Sequence, residues 1–344
     1  MKQNTNFYKG IIALIFLSIF LNAYSQNDVP NSSMYAANGT VWTSVISGDY
    51  TYISGEFSLI GFATGRGVKL TSSSSSINMS FPKVNGTINS VLPDGSGGWY
   101  IGGDFTTVGS QTRNRLARIN SDGTVNSWNP NSGGTVISIA ISGSDIYVTG
   151  SFTSIGGQSR NRLAKLNNTD GAVDATWNPN AGGTVNCMAI SGSDIYVGGS
   201  FTGTIGGQSR NRLAKLNNTD GAADATWNPS AGNTVNCMAI SGSDIYVGGN
   251  FTGTIGGQSR NRLAKLNNTN GSADATWNPN SNNWVQSLTI NGSDIYAGGN
   301  FSTIGGQTRN RIAKLNTTNG NADATWDPSL GSTVFSIAIN GTDI

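Results

Sequence analysis

One stretch of this chain recurs along its length with almost no change. Residues 192–202 (GSDIYVGGSFT) return as 242–252 with one substitution. The step is set by tyrosines 49 or 50 residues apart, namely Tyr147, Tyr196, Tyr246 and Tyr296. Because a repeat of this length is one supersecondary unit that buries its apolar faces against its neighbours, the period restricts the fold to a repeat architecture.

The repeat divides the chain into six units and the start of a seventh. A second ladder consists of tryptophans that precede Asn-Pro or Asp-Pro, namely Trp128, Trp177, Trp227, Trp277 and Trp326. The first unit lacks this tryptophan and has a serine run at 72–76, and terminal units of repeat arrays are often atypical. The predicted units are about 40–85, 87–130, 135–179, 184–229, 234–279 and 284–328, with a partial unit at 332–344.

Within the fourth unit, four segments have the composition of short strands. The sequence from Asn218 to Gly221 predicts a hairpin turn whose glycine has a positive φ. No segment has helical periodicity. Four strands in about 50 residues predict an all-β fold, a β-propeller of four-stranded blades; a β-solenoid is the alternative, although its coils usually use fewer residues. The predicted strands are 185–190, 195–201, 212–217 and one around 225–228 that stops at Pro229.

These motifs resemble the delta-60 type repeats of exported bacterial proteins, a family of uncharacterised β-propeller repeats. The resemblance rests on Y-V-G-G-S-F-T, on I-G-G-Q-S-R-N-R-L-A-K-L-N and on T-W-N-P. It covers 87–328 strongly and 40–85 weakly, and there is a looser similarity to kelch repeats. The resemblance implies a propeller-like fold and an extracytoplasmic location, and it implies no particular activity.

The first 25 residues predict a signal peptide. Lys2 and Lys9 accompany an apolar core at 10–21, and the sequence before Gln26 has the small-x-small pattern of a cleavage site. The core is too short for a comfortable membrane span. We therefore expect a short segment at 26–39, a repeat domain at 40–344, no membrane span in the mature chain, and a secreted or cell-surface protein. The signal resembles those of exported proteins of the Bacteroidota.

The partial unit at 332–344 leaves two interpretations. The N-terminal residues could complete the ring, but 27–39 carry neither repeat signature. We therefore expect the sequence to be truncated at its C-terminus, where exported proteins of this type often carry a sorting domain. An incomplete ring leaves blade faces and strand edges uncovered, so we also expect this chain to aggregate or dimerise.

Composition excludes several kinds of chemistry. The chain has no histidine, which rules out Ser/His triads, Cys/His dyads and His-ligated metals. Its net charge of +2 is too small to indicate a nucleic-acid partner. The recurring aspartates lie in turn sequences, and 220–224 lacks the dense ligand spacing of a calcium loop. We therefore expect no enzyme and no cofactor, with weak calcium binding left open.

Cys187 and Cys237 are the only thiols, and they occupy equivalent positions of neighbouring units. A disulfide between them would require Cα atoms within about 7 Å of each other. The other units carry serine at this position, namely Ser138, Ser287 and Ser336. A small side chain in a packed seam is therefore the favoured interpretation.

Arginine pairs recur at the predicted loop-to-strand junctions. In a closed ring they would form circles of guanidinium groups suited to an anionic glycan or to carboxylates of a protein partner. Strict repetition favours instead a structural role, in which each arginine pairs with an aspartate or a backbone carbonyl of its own or the next unit. The pairs are Arg113/Arg115, Arg160/Arg162, Arg210/Arg212, Arg260/Arg262 and Arg309/Arg311, with Arg160, Arg210, Arg260 and Arg309 as the binding candidates.

Specificity is expected where the copies differ from one another. The exceptions are Glu56, Asp104, the serine run and Trp284 at the head of the sixth unit. The tryptophan ladder could stack sugars, but its place before proline favours packing between blades. The sequence thus predicts a binding, adhesion or scaffolding module for a glycan or surface protein. The alternatives are a carbohydrate-active lyase or hydrolase, and a stalk for a further domain.

Overall fold

A computed structural model describes residues 40–47, 50–56, 67–71, 77–78, 81–339 and 343–344. In this part of the chain every regular element is a β-strand, which confirms the all-β prediction. It contains no helix long and apolar enough to cross a bilayer. The predicted signal peptide, the segment 26–39 and the serine run at 72–76 lie outside the described residues.

The first unit is one antiparallel sheet whose strands are paired in chain order. In each of units two to six, the first, second and fifth strands form an antiparallel sheet. The third and fourth strands have two residues each and form a separate small hairpin. The first unit contains β1 (Thr40–Ser47), β2 (Tyr50–Glu56), β3 (Gly67–Thr71) and β4 (Ile77–Asn78). The second contains β5 (Thr87–Pro93), β6 (Trp99–Asp104), β7 (Thr107–Val108), β8 (Gln111–Thr112) and β9 (Leu116–Ile119).

The next four units repeat this order with nearly identical bounds. The third contains β10 (Val136–Ser142), β11 (Asp145–Gly150), β12 (Ser154–Ile155), β13 (Gln158–Ser159) and β14 (Leu163–Asn167). The fourth contains β15 (Val185–Ser191), β16 (Asp194–Gly199), β17 (Thr204–Ile205), β18 (Gln208–Ser209) and β19 (Leu213–Asn217). The fifth contains β20 (Val235–Ser241), β21 (Asp244–Gly249), β22 (Thr254–Ile255), β23 (Gln258–Ser259) and β24 (Leu263–Asn267). The sixth contains β25 (Val285–Asn291), β26 (Asp294–Gly299), β27 (Thr303–Ile304), β28 (Gln307–Thr308) and β29 (Ile312–Asn316).

The middle strand of each sheet is buried on both faces. In β16 every residue after Asp194 is buried, because neighbouring blades cover both sides of the sheet and the apolar run need not alternate. Gly198 lies at the closest approach. A Cβ there would come within 2.8 Å of Cys187 Sγ and 2.7 Å of a methyl group of Val235 in the next unit. The Gly-Gly step of the repeat is therefore a packing requirement.

The outermost strand of the blade differs from the prediction at 225–228. The structure has a single bridge between Leu216 and Ala223, and no strand follows it. Asp224 explains the difference, because its Oδ1 accepts the backbone N–H groups of Thr226 at 2.8 Å and Trp227 at 3.1 Å. Donors held by a side chain are lost to the ladder.

The two turns of the fourth unit depend on glycines in the left-handed region. The predicted turn after β19 is confirmed, with Gly221 at φ 76°. The hairpin of β17 and β18 was not predicted as a pair of strands, and its turn uses Gly206 and Gly207 at φ 55° and 80°. Two successive positive φ values are the geometry that tight two-residue hairpins require.

Neighbouring blades meet through one repeated apolar cluster. Between the third and fourth units, Tyr147 and Trp177 pack against residues that include Ile195 and Val197. The two rings meet edge to face at 5.3 Å, and both side chains are at most 1% exposed. The indole N–H of Trp177 donates to the carbonyl of Asn217 in the next unit at 2.9 Å. Trp128, Trp227 and Trp277 make the same bond, so these four tryptophans are each shared between two blades.

The ring of first strands closes on itself through the segment 332–339. Ile139 N donates to Ser90 Oγ of the unit before it at 3.2 Å, and Ile337 N donates to Ser287 Oγ at 3.1 Å. The same contact joins the segment to the first unit, because Ser44 N donates to Ser336 Oγ at 3.3 Å. A solenoid would keep its ends apart, so the structure confirms the propeller. The expected truncation and association stay predictions.

A pair of glycine substitutions tests how blades are spaced. A Cβ at Gly221 would come within 2.8 Å of Pro179 in the preceding unit, whereas a Cβ at Gly207 would meet no atom within 4 Å. Both glycines have φ near 80°, so both alanine variants carry the backbone strain. We expect Gly221→Ala to lower the free energy of unfolding by about 1–3 kcal/mol more than Gly207→Ala does in urea denaturation. Equal losses would show that the contact with Pro179 does not limit the spacing.

Candidate binding face

The blades give the ring two faces with different contents. What we call the loop face is the end where first strands begin, and in the fourth unit it contains the connection 179–184 and the long segment 200–212. What we call the turn face is the opposite end, with the short turns at 192–193 and 218–221. The loop face therefore carries most of the irregular backbone, which is where binding residues are usually found.

Charge is separated between these faces. Within units two to six, the five arginine pairs lie on the loop face with only Asp104 and Asp327 as carboxylates. The half of each blade next to the turn face has four lysines and Arg118 against twelve aspartates. The net charge of +2 thus conceals a cationic loop face and an anionic turn face. Such a field attracts ligands of opposite charge over a distance of about one Debye length.

The first arginine of each pair is buried in its own unit. Arg210 is 4% exposed, its Nη1 donates to Ser209 O at 2.8 Å, and its Nη2 donates to Asp224 O. Burial lowers the pKa of the Arg210 guanidinium. These side chains hold the small hairpin to the segment that carries the tryptophan. The equivalent binding candidates Arg160, Arg260 and Arg309 are 6%, 4% and 5% exposed and donate to the equivalent carbonyls.

The second arginine of each pair is more accessible and has an unusual backbone. Arg212 has φ 63°, which non-glycine residues rarely adopt, and the conformation is fixed because its N–H donates to Phe201 O and its carbonyl accepts from Gly199 N. The side chain is half-buried, with Nη1 donating to Ala231 O at 3.2 Å. Within the described residues, four of these five guanidinium groups have no ion pair; only Arg115 has one, with Asp104 at 3.2 Å.

The three single residues that the sequence predicts as specificity exceptions lie on the loop face. Asp104 ends β6, with a side chain 59% exposed in its ion pair with Arg115. Glu56 ends β2 opposite Thr40 and is exposed. Trp284 directly precedes β25 and is half-buried. The structure thus collects on one face the exceptions that were scattered in the sequence.

Trp284 belongs to an aromatic cluster at the place where the ring closes. Its ring centroid is 6.2 Å from that of Phe335, which in turn is 4.7 Å from that of Trp42. All three side chains are half-buried. They come from the sixth unit, the segment 332–339 and the first unit, so closure of the ring brings them together. We call these three residues the seam cluster.

Trp42 and Phe335 were missed at the sequence level, although a signal was present. Each follows the conserved valine of its first strand, where the fourth and fifth units have Asn186 and Asn236. In β1 and β15 this position is a bulge, which re-aims the side chain. The asparagines use it to donate to the next unit, as Asn186 Nδ2 does to Val235 O at 3.1 Å. Aromatic residues at the same position are exceptions of the kind that marked Trp284.

Arg311 lies next to the seam cluster and differs from its equivalents. Its Nη1 donates to the carbonyls of Asn300 at 3.5 Å and Phe301 at 3.0 Å. Asn300 N donates to Trp284 O at 3.0 Å, and its Oδ1 accepts the hydroxyl of Thr333. Asn300 thus connects the cluster to a guanidinium group that has no carboxylate partner among the described residues.

The turn face has a repeated ion triad, which the second unit replaces with an ion pair of Arg118 and Asp94 at 2.8 Å. Lys215 Nζ lies 2.9 Å from Asp194 and 3.6 Å from Asp224. Burial acts to raise the pKa of Asp224, but hydrogen bonds from Thr226 and Trp227 outweigh it and lower that pKa. Among the described residues, no group of three or more carboxylate or thiol side chains could hold a metal ion.

The two cysteines fill the seam between blades. Both are free thiols and 8% exposed. Burial raises the pKa of the Cys187 thiol far above its ordinary value, so thiolate chemistry is suppressed.

The structure is similar in fold to known propellers, and five of its stretches match a propeller family. The matching family model is the domain of unknown function DUF5122 beta-propeller, over residues 93–127, 145–176, 194–226, 244–276 and 294–325. These stretches fall in units two to six. No activity is assigned to the matched family, and no curated protein is significantly similar to the sequence.

Three solved structures illustrate the likeness. The WD40 beta propeller domain of Doa1 has a TM-score of 0.60 at 11% identity, with 90% of each chain covered. The computationally designed Ika8 protein has a TM-score of 0.56 at 8% identity, covering 90% of this chain and 93% of that one. The extracellular domain of a putative one component system from B. thetaiotaomicron has a TM-score of 0.58 at 15% identity, covering 93% of this chain and 38% of that one. At these identities the likeness establishes the fold alone: the protein is a β-propeller.

The carboxylates of the turn face make stability depend on pH. Hydrogen bonds from the hydroxyl and backbone N–H of Thr325 lower the pKa of Asp323 to about 2, against an ordinary value near 3.8. A depressed folded-state pKa stabilises the fold above the unfolded value and loses that effect as pH falls through the folded value. We expect the melting temperature to fall between about pH 4 and pH 2, and Asp323→Asn to reduce that slope. An unchanged slope would contradict the assignment.

Proposed function

We propose that this protein is an exported β-propeller that binds an acidic glycan at the loop face, on the seam cluster. The observation that carries the proposal is the meeting of Trp42, Trp284 and Phe335 at one place in the ring, where equivalent positions of the fourth and fifth units hold threonine or asparagine. Residues needed to build every blade are copied in every unit. Residues that depart from the copy together, and meet in space, have a purpose other than building the blade.

The chemistry of the cluster suits a sugar. Each of its side chains is half-buried, so part of each remains accessible to a ligand, although the indole nitrogen of Trp42 is buried. An aromatic face offers rigid apolar area to the C–H face of a pyranose, and an indole adds a polar N–H. The ordinary ladder tryptophans do not have this property, because Trp177 and its equivalents in the second, fourth and fifth units are at most 1% exposed.

The charge of the loop face favours an acidic ligand. Ten arginines lie on this face, and Arg311, which Asn300 connects to the cluster, has no carboxylate partner among the described residues. A planar guanidinium pairs with a carboxylate or sulfate through two hydrogen bonds. Export is supported by the predicted signal peptide at 1–25, and one protein of similar fold is an extracellular domain.

Binding without turnover is the role we assign to this face. Of the three carboxylates that break the repeat on this face, Asp104 is paired with Arg115, Asp327 is paired with Arg309, and Glu56 belongs to another unit. A surface protein with clustered carboxylates would be the alternative partner for the same charge. A glycan-cleaving enzyme is the other alternative, and it predicts new reducing ends.

The test compares variants that restore the repeat. Trp284→Thr and Phe335→Asn introduce the residues of the fourth and fifth units, so both chains are expected to fold. With polygalacturonate in affinity electrophoresis, we expect retardation of the natural chain, and a loss of affinity of at least about tenfold in each variant. Neutral dextran should give no retardation.

The matched control is Thr234→Ala, since Thr234 is the equivalent of Trp284 in the fifth unit. It should bind like the natural chain. If polygalacturonate retards the Trp284→Thr variant as strongly as the natural chain, binding depends on charge alone, and the proposed site is wrong. If the protein releases reducing ends from polygalacturonate, it is a glycan-cleaving enzyme and the proposal of binding without turnover is wrong.

A further inference from the structure

We propose that the exposed side of the sixth unit is a docking surface for the outer strands of one further repeat unit, whose first strand is the segment 332–339. The proposal does not depend on glycan binding. It rests on tryptophan and proline contacts that are made at four successive blade interfaces and have no partner among the described residues at the fifth.

The complete interface can be described between the fourth and fifth units. Three side chains of the fourth unit donate to two successive carbonyls at the end of β24. The contacts are Trp227 Nε1 to Asn267 O at 2.9 Å, Tyr196 Oη to Asn268 O at 3.1 Å and Lys215 Nζ to Asn268 O at 3.4 Å. In addition, Pro229 O accepts the N–H of Gly256 at 2.7 Å. Indole, phenol, ammonium and carbonyl thus all face the next blade.

The tryptophan contact recurs at every interface from the second to the sixth unit. The other donors are Trp128, Trp177 and Trp277, to the carbonyls of Asn167, Asn217 and Asn316. The proline contact recurs as well, from Gly156, Gly206 and Gly305 to Pro130, Pro179 and Pro279 at 2.6–2.7 Å. At each interface the turn of the following unit accepts from the tryptophan, and the small hairpin of that unit donates to the proline carbonyl.

The sixth unit presents the same groups with nothing described against them. No carbonyl of the described residues accepts from Trp326 Nε1 or Tyr296 Oη, and no N–H of those residues donates to Pro328 O. Tyr296 is 7% exposed and Trp326 is half-buried, whereas their equivalents in the second to fifth units are at most 1% exposed. The Lys314 side chain is 24% exposed, against 13–15% for its lysine equivalents.

The segment 332–339 already occupies the position of a first strand beside this surface. A Cβ on Gly298 would lie 2.5 Å from Val334, as one on Gly198 would lie 2.7 Å from Val235. The hydrogen bond from Ile337 N to Ser287 Oγ is the contact seen between the second and third units. The position of the segment 332–339 determines where the second and third strands of such a unit would lie. They would cover Tyr296 and Trp326.

The occupant is therefore defined by chemistry. The occupant has a strand that ends with two free carbonyls, which accept from Trp326 and Tyr296. A turn follows this strand, with a positive-φ glycine packed against Pro328. A Gly-Gly hairpin of the occupant donates an N–H to Pro328 O. A second copy of this chain would need to offer a free turn of this kind, but the carbonyls of the turns after β14, β19, β24 and β29 already accept from the preceding unit.

The test adds the missing strands. Asp343-Ile344 aligns with Asp294-Ile295, so a copy of residues 296–328 placed after Ile344 completes the unit in register. We expect this extended chain to melt at least about 5 °C higher than the 344-residue chain in a circular dichroism scan. A melting temperature that is equal or lower, in an extended chain shown to be folded, would overturn the proposal.

A substitution at the surface shows whether the gain comes from this contact. Trp326→Phe keeps the apolar ring and removes the indole donor. We expect it to lower the melting temperature of the extended chain by about 2–4 °C and that of the 344-residue chain by less than about 1 °C. The matched control Trp277→Phe should lower both equally, because its acceptor Asn316 is present in both. Equal effects of Trp326→Phe in the two chains would contradict the docking.

Measurements on the natural chain alone give an independent answer. We expect the indole N–H of Trp326 to exchange with deuterium at least about tenfold faster than that of Trp277, since one faces solvent and the other a carbonyl. Equal protection would mean that the surface is already covered, which would overturn the proposal. A dimer in sedimentation that Trp326→Phe dissociates would identify a second copy as the occupant and would likewise overturn it.

Discussion

The whole ring depends on how one blade meets the next. Four tryptophans of the ladder, Trp128, Trp177, Trp227 and Trp277, are each packed against the tyrosine of their own unit. Each donates its indole N–H to a carbonyl of the following unit, as Trp227 does to Asn267 at 2.9 Å. A buried indole N–H without an acceptor would cost about 1–3 kcal/mol, so the contact sets both the distance and the register between blades. Gly221 and its equivalents then let the next turn approach the proline that follows the tryptophan.

Most residues of the repeat are constrained because they make contacts within a blade or between two blades. The arginines that looked like a binding circle illustrate it, because Arg160, Arg210, Arg260 and Arg309 donate to carbonyls of their own units. Their charge is still felt on the loop face. Since the aspartates of the Gly-Ser-Asp and Asn-Thr-Asp-Gly turns lie at the other end, one repeated pattern gives the ring two faces of opposite charge.

The repeat made most of the fold predictable. Period, turn residues and apolar runs located the strands and the positive-φ glycine at 221, and they favoured a propeller over a solenoid. The error at 225–228 came from Asp224, whose side chain takes the backbone donors that a fourth strand would need. The candidate site was harder to predict from the sequence. Trp284 stands out as an exception in a regular copy, but Trp42 and Phe335 lie in copies that are too irregular or too short to align clearly with the others.

The sequence by itself determined the blade, because everything a blade needs lies within about 50 residues and is written several times. It also determined which positions break the pattern. Only the tertiary structure decided which of those exceptions meet. Trp42 and Phe335 are 293 positions apart and come within 4.7 Å because the ring of first strands closes, and closure is a property of the angle between successive blades that no single unit contains. Trp326 of the sixth unit is half-buried, whereas its copies in the second to fifth units are buried.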